Sequence, residues 1–137
     1  MSMRGFDIPR EFLTFSKEVL DCLSKKMSEC KVTVSQGLIR TAISRTYFAS
    51  FLVARRAISL EEYRLRDIHK KVVEELEKMN LKDVADKLSA LRRQRNLADY
   101  EVYRTFNIKK LELSIKTAED IINTLRRQFP YSSSFYY

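Results

Sequence analysis

The sequence predicts an all-α bundle, and three observations carry that expectation. Glycine and proline number only two each, apolar residues make up 45% and charged residues 32%, a composition suited to long helices joined by short connections. Segment after segment repeats its apolar residues at intervals of three and four, the period of one helix face. At 137 residues the chain is long enough to bury one core without help from metal or disulfide. We therefore read a single domain, with a core from about 9 to 129 and a short C-terminal tail, 130–137.

The elements follow in order. Pro9 suits a first helical turn, where its missing N–H costs nothing. Phe12, Phe15, Val19, Leu23 and Met27 then mark one face of a helix running to about Cys30. Thr33 or Ser35 can cap a second helix, which from Leu38 to Ile58 is apolar around most of its circumference. Such a helix is either central in the bundle or faces a second subunit. Ser59 to Glu62 has capping-box spacing, ahead of a third helix that begins at Asp67 and carries Ile68, Val72, Leu76 and Met79. Asn80 breaks that register. A fourth helix holds Leu81, Val84, Leu88 and Leu91 inward and loses its pattern near Leu97. Asn107 can cap the last helix, whose Ile108, Leu111, Ile115, Ala118, Ile122, Leu125 and Phe129 keep the period until Pro130.

The net charge of +8 attracts phosphate-bearing partners but does not choose among them. No apolar run approaches the roughly 20 residues that span a bilayer, so the chain is expected to be soluble. Two cysteines, Cys22 and Cys30, with no secretory leader ahead of them, are expected as free thiols in a reducing cytoplasm. A single histidine, His69, leaves too few ligands for structural zinc, and nothing calls for a cofactor.

Two acid-free stretches of the chain are basic. One, between Glu29 and Glu61, holds Lys31, Arg40, Arg45, Arg55 and Arg56; the other, from Lys87 to Ala98, holds Arg92, Arg93 and Arg95. They make either one patch or an ordinary solvated face. Arg45 stands out because its helix is otherwise mostly apolar, and a buried guanidinium needs a partner. That partner is either an internal acid such as Asp99 or a phosphate at the bundle rim. Arg95 and Asp99 are four apart, which on a helix places them on one face, a common and weakly stabilising pair.

Three short elements resemble those of prokaryotic HEPN proteins, in the branch that occurs as short stand-alone chains. Ile43-Ser44-Arg45-Thr46-Tyr47-Phe48-Ala49 is similar to the S-R-x-Y-Y-A stretch of their second helix. His69-Lys70 resembles a His-Lys that opens their next helix. Arg95-Asn96-Leu97-Ala98-Asp99-Tyr100 resembles their R-N-x-A-D-Y element. The elements occur in the family's order, and the likeness covers about Phe12 to Phe129.

The resemblance implies an up-and-down bundle of four to five helices, a homodimer, and pairing with a minimal nucleotidyltransferase as toxin and antitoxin. It also implies metal-independent ribonuclease activity, in which an arginine and a histidine shortly after it meet their copies from a second subunit. This chain departs from that motif, since Tyr100 stands where the histidine is expected and His69 lies in another helix. A tyrosine of ordinary pKa near 10 is a poor base at neutral pH.

On this reading Arg95 and Tyr100 are the candidate catalytic pair. Arg45, Tyr47, Arg92, Asn96, Asp99 and Tyr103 are candidates to bind RNA or a nucleotide. Arg45 and Arg95 neutralise phosphate, Asn96 and Asp99 orient, and Tyr100 or Tyr103 stacks on a base. His69 replaces the missing histidine only if the fold brings it to Arg95. The rival expectation is a non-catalytic module that docks a nucleotidyltransferase, with Tyr100 and Tyr103 as acceptors for nucleotide transfer.

Overall fold

The computed structural model describes residues 7–25, 35–61, 64, 66–132 and 135. Among them are five helices and no strand: α1 (Asp7–Ser24), α2 (Ser35–Ala57), α3 (Ile68–Lys78), α4 (Lys82–Tyr100) and α5 (Ile108–Gln128). The expected helical bundle is what the chain forms.

Helix α2 is its axis, packing against α1, α4 and α5 and touching α3. Its Ala42, Ala49 and Ala54 are wholly buried, and small side chains there let neighbouring helices approach closely. The apolar circumference of α2 is thus covered within one chain, and it gives no reason to invoke a second subunit.

Two apolar clusters lie end to end along this axis. One gathers Phe51 with Val72, Leu76, Leu88, Ile121 and Leu125; the other gathers Ile39 and Ile43 with Val19, Phe106, Leu111 and Ile115. Helix α4 gives Leu91 to the first and Ala98 to the second. The polar stretch 92–96 between them is where its inward stripe thins, and that places Arg95 at the junction.

Helix ends follow local chemistry. The Asp67 carboxylate accepts from Lys70 N at 3.1 Å and the Asn107 side chain accepts from Lys110 N at 2.9 Å, satisfying amides that a first helical turn leaves open. At the other ends of α2 and α3 two non-glycine residues are left-handed, Ser59 (φ 61°) and Asn80 (φ 65°). Leu60 N reaches Arg55 O at 2.8 Å and Ser59 N reaches Arg56 O at 3.0 Å. The pattern repeats from Leu81 N to Leu76 O and from Asn80 N to Glu77 O, so both ends are Schellman closures. Ser59 therefore ends α2 instead of opening a capping box, whose Glu62 lies outside the described residues.

Other expectations need correcting. Helix α4 runs on through the arginine segment to Tyr100, since a helix exposed on one side does not need apolar periodicity to persist. Helix α1 stops at Ser24, with Met27 and Cys30 outside the described residues, as are Lys31 and Thr33. Cys22 is disulfide-bonded and not the free thiol expected; the chain's other cysteine is Cys30. In the tail, Phe135 packs against the first cluster and lies under the Arg126 guanidinium at 5.3 Å. Among the described residues no helix is long and apolar enough to cross a membrane.

Candidate nucleic-acid interface

Residues four apart on α4 bring Arg95 and Asp99 together, with Nε 2.9 Å from Oδ2 and both side chains about a quarter exposed. The buried Nε–H is not aimed at that oxygen and has no aligned acceptor, so the contact is electrostatic more than a hydrogen bond. Ser44 on α2 donates to the same Oδ2 at 3.3 Å, and Arg95 Nη1 donates to Asn96 Oδ1 at 3.0 Å. The carboxylate and the amide thereby hold the guanidinium at Nε and at Nη1. Among the described residues its Nη2 has no hydrogen-bond partner, which leaves it for an incoming acceptor.

Phe48 is the element that sequence reasoning missed. The Arg95 guanidinium lies 5.2 Å from its ring centre and that of Arg45 lies 6.0 Å from it, while Arg45 also covers Phe12 at 5.0 Å and Arg95 covers Tyr100 at 5.7 Å. The order across this face is Phe12, Arg45, Phe48, Arg95, Tyr100. Its signal in the sequence is the spacing of Arg45 and Phe48, three apart and so neighbours on one helix face. Beyond it, Arg93, Arg95, Asn96, Leu97, Tyr100 and Glu101 line an open concavity of about 660 Å³.

Arg45 is exposed and has no acidic partner among the described residues. Neither the burial nor the Asp99 pairing expected of it occurs, because Asp99 is taken by Arg95 and Arg45 turns outward over aromatic rings, where a cation stays hydrated on one side. Arg40 and Arg55 leave the supposed patch altogether. Arg55 donates to Leu60 O and Glu61 O, and Arg40 donates to the carbonyls of Ala98, Glu101, Val102 and Arg104. Gln36 grips the Phe106 backbone at both ends, accepting from N at 3.0 Å and donating to O at 2.6 Å. The first turns of α2 therefore hold the α4–α5 connection in place, and on it Val102 and Tyr103 stand 72% and 99% exposed.

Tyr47 and His69 form a second, buried centre. Tyr47 is in the core, 3% exposed, and is not the surface contact expected. Its hydroxyl lies 2.8 Å from His69 Nδ1. Burial pushes the phenol up to about 12, against the opposing pull of Arg92 and Arg95. Burial, aided by the Arg92 charge, lowers the imidazole from 6.5 to about 4. Both groups are thus neutral at pH 7. Arg92 is tied to Asp67 at 3.6 Å. His69 makes no hydrogen bond, ion pair or ring contact with Arg95, so the fold does not deliver it as a substitute for the missing histidine. Among the described residues no group of His, Cys, Asp and Glu could hold a metal.

No family model, curated protein or solved structure matches the chain.

Proposed function

We propose that this chain is a HEPN-type module that binds RNA or a nucleotide across the Arg45, Phe48, Arg95 and Tyr100 face, as a homodimer. The observation that carries the reading is the alternation of guanidinium and ring. Arg45 and the open edge of Arg95 supply positive charge at a spacing set by Phe48, which suits phosphates. Tyr100, 69% exposed, and Tyr103 offer faces on which an unstacked base can lie. Asp99 and Asn96 orient Arg95 and do not contact the ligand.

Cleavage asks for more than binding. Proton transfer to and from a 2′-hydroxyl is efficient with a group that titrates near neutrality, and the one histidine is buried, neutral and bonded to Tyr47. The reading is accordingly of binding first, with any ribonuclease toxin activity resting on Arg95 and Tyr100 alone. Metal-free protein incubated with an RNA containing single-stranded and structured parts tests it, with Arg95→Ala in parallel. Retention of the RNA by wild type and its loss in the variant is expected. Equal retention by both proteins contradicts the reading, and cleavage by wild type alone promotes Arg95 to a catalytic residue.

One observation favours a second reading. Tyr103 is almost fully exposed on a connection that Arg40 and Gln36 hold from beneath, a presentation that suits recognition by a protein such as a minimal nucleotidyltransferase. Co-purification of such a partner, lost on Tyr103→Ala and kept on Arg45→Ala, distinguishes it.

A further inference from the structure

Beside the concavity next to the Phe48 platform, with which it shares Arg93, α4 and α5 enclose a recess of about 290 Å³, lined also by Leu91, Gln94, Lys110, Leu113 and Ser114. Its polar groups are open. Arg93 and Gln94 have no hydrogen-bond or ion partner among the described residues. The Lys110 ammonium rests over the Phe106 ring at 4.9 Å, with no carboxylate beside it. Among the buried hydroxyls, Ser16, Ser44, Thr46 and Ser50 are all hydrogen-bonded. Ser114 is the exception: only 4% exposed, it has no hydrogen-bond partner among the described residues and it lines the recess. A buried polar group normally finds a partner, so this one is suited to a ligand entering the recess.

We infer that the α4–α5 recess binds a small organic phosphate monoester. Two cations face it and no carboxylate lines it, which matches a phosphate of about −1.5 to −2 charge at pH 7. Arg93 and Lys110 take the phosphate, while Gln94 and Ser114 add neutral donors for its remaining oxygens. Leu91, Leu113 and Ala90 make an apolar wall for the organic body, and Leu113 is 66% exposed. The volume lies near the lower end of small-molecule sites, roughly 300 Å³, which fits a mononucleotide-sized compound and is too small for a folded macromolecule.

Calorimetric titration of the full chain with AMP, adenosine and inorganic phosphate is the test, with binding of a single-stranded oligoribonucleotide measured on the same preparations. Saturable AMP binding is expected, with adenosine and inorganic phosphate each weaker by at least about tenfold. Arg93→Ala and Lys110→Ala each weaken AMP by about tenfold or more, the effect of one charge-assisted contact. Ser114→Ala weakens it several-fold, and in an Arg45→Ala background, where the oligoribonucleotide binds more weakly, Arg93→Ala still weakens AMP by about tenfold. No saturable AMP binding, inorganic phosphate binding as tightly as AMP, or a loss that falls on Arg45→Ala instead of Arg93→Ala overturns the inference. Because Arg45→Ala and the oligoribonucleotide report on the Phe48 platform, failure of the recess and failure of the platform are read separately.

Discussion

Replacing His69 with glutamine should flatten the acid side of this protein's stability profile. The imidazole is buried against Tyr47, Phe51 and the Arg92 charge, and its pKa is lowered from 6.5 to about 4. The folded state thus accommodates the neutral ring, and between those two values the unfolded chain binds a proton that the folded chain does not. Stability is fully present above pH 6.5 and falls as the pH drops towards 4, at about 1.4 kcal/mol per unit for one such group, roughly 3 kcal/mol across the window. Glutamine can still bond the Tyr47 hydroxyl but cannot take up that proton. Urea unfolding followed by helical circular dichroism, at a series of pH values through the window, gives the two slopes. The wild type should lose stability faster than His69→Gln as the pH falls, and the difference should vanish above pH 7. Parallel profiles for the two proteins would refute a buried, neutral His69.

Three further substitutions test how the chain is held. Ser59→Gly and Asn80→Gly relieve left-handed backbone at the ends of α2 and α3, and each should stabilise by about 1 kcal/mol, less for asparagine, which tolerates that conformation better; thermal unfolding checks this, and no gain for Ser59→Gly speaks against a left-handed residue there. Arg40→Ala removes the donor shared by the carbonyls at the end of α4. Because water can replace part of that bonding, we expect a loss of about 1–3 kcal/mol and faster amide exchange across residues 101–107, with exchange in α3 unaltered.

The sequence made the helices legible because an apolar face repeats at helical period, and the cap Asn107 because a short polar side chain at a helix start has one evident use; Asp67, read as the first residue of α3, is its cap. It misled at Ser59, whose spacing to Glu62 imitates a cap while the backbone there ends a helix. It misled at Arg45 as well, where burial was inferred from apolar neighbours in the chain although the helix turns that position outward. Tyr47 and Arg45 are two apart and so face different ways, and a motif read as a string does not separate the core residue from the surface one. The Arg95 and Asp99 pair was visible from spacing, but its orientation by Ser44 depends on how α2 crosses α4. The clamp of Gln36 and Arg40 on residues 98–106 joins positions about sixty to seventy apart, which no local pattern encodes. The recess between α4 and α5 was hidden for the same reason.

Under the proposed function, two arginines on one phenylalanine bind RNA phosphate. The most direct measurement is the affinity of a single-stranded oligoribonucleotide over a range of salt concentrations, for wild type, Arg45→Ala and Arg95→Ala. Each cation that contacts phosphate contributes to the salt dependence, so each variant should bind more weakly and reduce the slope of log affinity against log salt by about 1. Unchanged affinity and slope in both variants would contradict the account and leave the platform a structural feature of the bundle.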